Sequence, residues 1–438
     1  MRRTMMIILS VVIAAALSGC NGNAAAPATE EIVETEDKTA LSMEPVELEL
    51  WAYYDGWSSI IESFEEKYPN VTVKLKTFAF DTYADVYKEA IASGETPDVM
   101  LTDSEHFGQF TTIAGLENLL DYGAGEYEKD ISGSLWASNF SFDGQSMVGF
   151  PFGSSPIVAY YREDMMRQYG FPSDPEELGK YMEDPDNWLE IARTLKKDGR
   201  YLAQWSTEVI RVYDSAHGLL DENVSFLRNN EAYYEAIELA KTLNEEGLVS
   251  LQDVWTEAGA QTVRDGELAM LYQGTWGASQ IEAWAPDTAG HWRATRLPFN
   301  KYGWANSASF MIPTASDQKA WAWELIRYIV TDWAFKGVDN SVPAYIPARA
   351  NGRKLAETSD FFGGQKMYAT NLWLTENMKE YRLTPLDQQV KQIWNDTVNK
   401  GIERQKDAET IIQEAEQMIQ TSLGDDIEIL RSIAQENR

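Results

Sequence analysis

Between Val46 and Leu101 the hydrophobic period of the chain switches back and forth, and that alternation constrains the fold more than any other feature. Val46, Leu48 and Leu50 alternate with acidic residues as a half-buried strand does. Ile60, Ile61, Phe64 and Tyr68 then recur at helical spacing until Pro69 ends the run. Val71, Val73 and Leu75 alternate again, and a helix follows over 81–93 with Tyr83, Val86, Tyr87 and Ala90 on one face and Gly94 as its stop. An apolar strand at 98–101 completes the series. Strand, helix, strand, helix, strand predicts an α/β layer on a largely parallel sheet. Small molecules held by such sheets sit beyond the carboxyl ends of the strands. Two segments fall there, the aromatic "WAYYDGW" at 51–57 and the polar "TDSEH" at 102–106.

A chain of 438 residues exceeds one ordinary core, so two or three domains are expected. From about 161 to 291 long helical patterns such as "NEAYYEAIELAKTLNEEG" dominate; a strand pattern returns at 292–297, and a long helix from about 316 carries Trp323, Ile326, Ile329 and Val330. The C-terminal third is mostly helical. With no internal repeat and no long linker between the α/β and helical parts, the chain reads as two lobes that share it by crossing more than once. A net charge of −32 repels phosphate backbones, so nucleic acid is not an expected partner. The single cysteine, Cys20, has no intramolecular disulfide partner, and His106, His217 and His291 are scattered, so neither a metal nor any other cofactor is expected. No P-loop, HExxH, GxSxG or EF-hand pattern is present.

The N-terminus, "MRRTMMIILSVVIAAALSGC", has two arginines, an apolar run from Met5 to Leu17 and then small residues. That run is shorter than the roughly 20 residues a bilayer-spanning helix needs, as in an export signal over 1–19. Leu17-Ser18-Gly19-Cys20 resembles the lipobox of bacterial lipoproteins, which implies cleavage before Cys20 and acylation of that residue. A multiply acylated terminus holds a protein firmly at a membrane. Residues 20–45, rich in Ala, Pro, Thr and Glu, read as a disordered tether with a reach on the order of 25–30 Å.

Further along, "GETPDVMLTDSEHFGQFTTIAGLENLLDY", "GQSMVGFPFGSSPIVAYYREDMMRQYGF", "DNWLEIARTLKKDGR", "VRDGELAMLYQGTWGASQIEAW" and "FMIPTASDQKAWAWELIRYIVTD" follow one another in order. Together they resemble the extracellular solute-binding proteins of ABC importers, in the family that includes maltose- and oligosaccharide-binding proteins. The resemblance covers about 46–424. It implies an α/β, two-lobe periplasmic-binding-protein-like (Venus-flytrap) fold with three hinge crossings, near 151–156, 296–300 and 329–336. Lobe 1 would then hold 46–152 and 299–332, and lobe 2 would hold 153–298 and 333–438. It also implies a non-enzymatic monomer that closes on a carbohydrate and presents it to the transmembrane subunits of an ABC permease at the outer face of the cell membrane. Two stretches depart from the family pattern: Tyr161-Arg162 stands where Tyr-Asn is usual, and "DPEELGKYMEDP" is inserted before "DNW".

A sugar offers flat C–H faces and rings of hydroxyls, so its site needs aromatic platforms together with carboxylates, amides or guanidinium groups. The chain has 15 Trp and 21 Tyr from which to build them. Trp51 is expected to close the first strand into the core, whereas Tyr53, Tyr54, Asp55 and Trp57 are candidates for ligand contact, with capping of the first helix as the alternative. Asp103 and Ser104 suit hydroxyl binding and helix capping equally. The resemblance adds Trp276 of "YQGTWG" as a stacking ring, Phe152 and Ser154 at the first crossing, Asn306 and Ser307 in a loop after the second, and Tyr345 and Arg349 after the third. Trp205 and Trp373 are candidates by residue type alone. A glycoside hydrolase, which also pairs carboxylates with aromatic platforms, remains an alternative, as does a binder of polyamine or ferric iron.

Overall fold

A computed structural model describes residues 38–336 and 341–436. The expected export signal, Cys20 and the tether as far as residue 37 lie outside the described residues. Residues 38–45 run along the body. Lys38 pairs with Asp121 at 2.7 Å, and the Ser42 carbonyl accepts from Asn70 Nδ2 and from Trp321 Nε1.

The described residues form nine strands: β1 (Val46–Ala52), β2 (Val71–Thr77), β3 (Val99–Asp103), β4 (Phe150–Pro156), β5 (Val158–Arg162), β6 (Met270–Gln273), β7 (Trp292–Thr295), β8 (Trp304–Met311) and β9 (Val342–Pro343). Six of them make one sheet in the order β2-β1-β3-β8-β4-β9, and three make a second in the order β6-β5-β7. The alternation read at the start of the body produces β1, with Leu48 and Leu50 buried, flanked in parallel by β2 and β3. Helices Ser58–Lys67 and Tyr83–Ser93 connect these strands, and Gly94 ends the second with a φ of 78°, in the left-handed region that costs glycine little.

Beyond β3 the sheet is antiparallel, so it is mixed rather than largely parallel. The reason lies in the crossings. The chain leaves the larger sheet at the end of β4, builds the smaller one, and returns through β8 in the opposite direction. Asn306 and Ser307, expected in a loop, lie in β8. Its sequence, "WANSASFM", is rich in small polar residues with weak strand preference, and hydrogen bonding to β3 on one side and β4 on the other makes it a strand.

Ile157 alone separates β4 from β5, and its N–H donates to Gly303 O at 2.7 Å, so the outgoing and returning crossings lie side by side. The connection from β7 to β8 turns through Phe299 and Asn300, both left-handed. The segment near 329–336, where a third crossing was expected, continues the helix Lys319–Arg327 in wider and tighter turns as far as Lys336. Past it, β9 pairs with Gly153 and Ser154 of β4, so the chain is still part of the larger sheet at 342–343.

Two large apolar cores follow from this. One packs under the larger sheet around Leu48, Leu50, Phe64, Phe310 and Ile326. The other joins Tyr161, Trp188 and Leu195 to the helices Glu231–Glu245, Asp387–Glu403 and Ala408–Glu436.

Candidate functional site

The carboxyl ends of β1 and β3 and the first half of β8 meet at one rim of the larger sheet, and five of the expected residues converge there. Asp103 is buried at the end of β3. Its Oδ1 accepts the Glu105 N–H at 2.8 Å, which caps the helix Ser104–Phe107, while its Oδ2 accepts from Asn306 Nδ2 at 2.6 Å and from the Tyr53 hydroxyl at 3.3 Å. Burial pushes the Asp103 carboxyl up to about 6 despite these donors, and burial together with the nearby carboxylate raises the Tyr53 phenol well above its usual range. Ser104 Oγ accepts the Ser307 N–H at 3.0 Å. Asp103 and Ser104 therefore cap and cross-link, which was one of the two roles open to them.

The aromatic cluster sorts into two groups. Trp51 is buried as expected, with its ring near Phe78 and Tyr87. Trp57 is buried too, at 1 % exposure, between Phe152 and Phe310 at centroid distances of 5.6 and 5.8 Å. The platform roles suggested for Trp57 and Phe152 do not fit this placement, because each ring fills the core against the other. Tyr53 stacks on Tyr83 at 4.9 Å, and beside it Tyr54 and Phe80, at 40 % and 38 % exposure, turn rings outward. Asp55 is exposed next to them.

A cleft of about 460 Å³ is lined by Ser104, Glu105, Trp304 and Ala305 from the larger sheet's rim and by Tyr272, Gln273, Gly274 and Trp276 from the end of β6. The Trp276 indole, 36 % exposed, lies against Gly274; a Cβ at position 274 would overlap its ring, so glycine is required for this pose. Ser155 Oγ sits 2.9 Å from Thr275 Oγ1 and accepts the Thr275 N–H at 2.9 Å, tying β4 to the residue before Trp276.

The charged groups of the cleft are mostly neutralised by neighbours. Glu105 pairs with Lys391 at 3.0 Å and Asp214 with Arg228 at 2.7 Å. Glu208 takes the Gln204 N–H at 2.7 Å and Gln204 Nε2 at 2.9 Å, and burial raises its carboxyl. Asp387, pushed up to about 6 by burial, accepts from the Thr384 N–H and hydroxyl. The Arg211 guanidinium lines the same cleft with no hydrogen bond or ion pair of its own among the described residues.

The remaining expected residues lie elsewhere. Ser154 is buried and donates to Glu380 Oε1 at 3.1 Å. Arg349 is buried with its Nε donating to Pro343 O at 2.8 Å, which holds the turn after β9. Tyr345 packs edge-on against Tyr127 and Phe335. Trp205 and Trp373 are exposed, but the cleft lining includes neither; of the expected residues it includes Ser104 and Trp276, while Tyr53, Tyr54, Asp55, Asp103, Asn306 and Ser307 lie outside it, around Ser104 on the larger sheet's rim. Sequence reasoning missed Arg211, Trp255, Tyr272, Gln273 and Tyr381, which line the cleft and carry no positional signal; Phe80, exposed just after β2 beside Tyr53, is not part of that lining.

Among solved structures the fold is shared with the galacto-N-biose/lacto-N-biose I-binding protein of a Bifidobacterium longum ABC transporter in complex with lacto-N-biose. The two are 17% identical over 86% of this chain and 97% of that one, with a TM-score of 0.71. It is also shared with an ABC substrate-binding protein from Listeria monocytogenes in complex with cycloalternan, at 17% identity over 87% and 100% and a TM-score of 0.70. The GacH receptor of Streptomyces glaucescens, solved unliganded and with acarbose, matches at 16% identity over 87% and 99%, again with a TM-score of 0.70. These likenesses identify the two-lobe periplasmic-binding-protein-like fold. The sequence profile described as "Bacterial extracellular solute-binding protein" matches residues 59–360, and the chain belongs to that family.

Proposed function

We propose that the protein is the solute receptor of an ABC importer, that it captures an oligosaccharide in the cleft between its two lobes, and that it performs no chemistry on it. The observation that carries this reading is Trp276, a part-exposed indole packed against Gly274 and lining a cleft whose opposite rim presents Ser104 and Glu105 beside Trp304. An apolar plate set among hydrogen-bonding groups suits a sugar, which has apolar faces and polar edges. The saccharides bound by the Bifidobacterium, Listeria and Streptomyces proteins support it. Tyr54, Asp55 and Ser104 are assigned to ligand contact beside Trp276, with Tyr53, Asp103, Asn306 and Ser307 organising the rim.

Residues 1–19 are assigned as an export signal and Cys20 as the acylated residue that anchors a monomer to the outer face of the cell membrane, near the permease subunits. Lobe 1 is drawn from 46–152 and 299–332 with the addition of 153–156 and 342–343, which pair in the larger sheet, and lobe 2 from 157–298 and the C-terminal helices.

Isothermal titration against mono- and oligosaccharides, polyamines and ferric iron, with chromatography of the recovered sugar, tests the reading. Heat with a saccharide that is recovered intact is the expected result. Silence with every saccharide overturns the sugar assignment, and hydrolysed sugar overturns the absence of chemistry.

A further inference from the structure

Four tryptophans stand out of the protein surface, Trp205, Trp255, Trp276 and Trp373, and two of them, Trp255 and Trp276, line the same cleft. Trp255 is the most exposed of the four, at 61 %. An indole left that open gives up burial that a core position would provide, since a tryptophan side chain can bury on the order of 200 Å². A loop without fixed contacts would explain such a ring, but this loop is held by several hydrogen bonds.

Val254 is buried, and its N–H donates to Gln204 Oε1 at 2.9 Å. The Trp255 N–H donates to Asp253 Oδ1 at 3.0 Å, and both the N–H and the hydroxyl of Thr256 donate to Asp253 O, at 3.0 and 2.7 Å. Thr256 then caps the helix Glu257–Arg264 by accepting the Gly259 N–H at 3.1 Å. Gly259 itself packs so closely on Asp253 that a Cβ would overlap the Asp253 carbonyl. The Trp255 ring is braced edge-on by Trp284, with centroids 5.3 Å apart at 76°. The indole is therefore preorganised, so covering it costs little conformational entropy.

From this we infer that Trp255 forms a second saccharide subsite, taking the C–H face of a sugar ring beyond the one stacked on Trp276. The inference rests on the saccharide reading of the cleft. The occupant follows from continuity: the ring lies in the wall of the cavity that Trp276 lines, and Gln204, which holds the Trp255 loop, also holds Glu208 of that wall. Trp255 thus sets the length of ligand that binds tightly, while Trp276 grips every length.

The test uses the full chain and malto-, cello-, xylo- and galacto-oligosaccharide ladders of one to six units, titrated calorimetrically against wild type, Trp255→Ala, Trp255→Phe and Trp276→Ala. In the ladder that wild type binds, Trp255→Ala should lower affinity about tenfold for the longer members and leave the shortest bound member within about twofold. Trp255→Phe should recover most of the loss, and Trp276→Ala should weaken all lengths. Equal loss at every length, or no loss at any, overturns the subsite while leaving the saccharide reading intact. Wild type that binds no member of any ladder overturns the subsite for these sugars, and silence that extends to every saccharide of the titration under the proposed function overturns both. Because the side chain is exposed, thermal melts of the Trp255 variants should superimpose on wild type, and a collapsed melt would count against the inference by making the residue structural.

Discussion

Asn306 Nδ2 donates to Asp103 Oδ2 at 2.6 Å, joining the carboxyl end of β3 to the strand that returns from the smaller sheet. This bond holds a carboxyl that burial pushes up to about 6. The folded protein thus binds that proton more tightly than the unfolded chain, where an aspartate titrates near 4. Between about pH 4 and pH 6 the folded state keeps the proton and the unfolded state does not, so stability falls as pH rises through this window. Asp387, also pushed up to about 6, contributes with the same sign. Asp103→Asn should flatten the slope by on the order of 3 kcal/mol across the window. Urea unfolding of both proteins at several pH values checks it, and parallel curves would contradict the assignment.

Trp276→Ala should weaken saccharide binding at least tenfold, about 1.4 kcal/mol, without loss of folding. Gly274→Ala should mimic it, because the added methyl occupies the space of the indole and tips it out of its pose. Titration of the two variants with one sugar checks the pair; wild-type affinity in Gly274→Ala would mean that the pose is not what the ligand recognises.

Trp57→Ala should destabilise the fold by about 3–5 kcal/mol, since it empties the space between Phe152 and Phe310. Tyr54→Ala, three residues away and exposed, should leave stability nearly unchanged and reduce ligand affinity instead. Melting and titration curves recorded together separate the two effects, and a reversed pattern would refute the division of the aromatic cluster.

At the crossing, Ser155→Ala removes the acceptor of the Thr275 N–H and should cost about 1–3 kcal/mol, the penalty of a buried donor without a partner. Thr275→Val keeps that backbone bond and loses only the hydroxyl contact, so its cost should be nearer about 1 kcal/mol. Equilibrium unfolding ranks the two, and the opposite order would show that the hydroxyl pair, not the backbone donor, ties the strands.

Much of this architecture was readable in one dimension. Strands β1, β2 and β3, the helices between them and Gly94 as a stop all follow from local periodicity, because each element shows its own apolar face at its own spacing. β8 was not readable, since "WANSASFM" has no strong period and becomes a strand through partners more than 140 residues away in β4 and 200 away in β3. The same holds for β9, two residues long and visible only in its pairing with Gly153 and Ser154.

The sequence by itself determined that aromatic and polar residues gather at the carboxyl ends of the first strands, because strand direction and element order follow from pattern. It also singled out Trp276 through a motif. Only the tertiary structure decided which rings meet solvent. Trp57 and Tyr54 are three residues apart in one segment, yet Phe152 and Phe310 arrive from distant strands to enclose the first and leave the second open. Exposure is a property of what packs against a side chain, and no local pattern in "DVWTEAG" reveals that Trp255 faces a cleft built from both sheets.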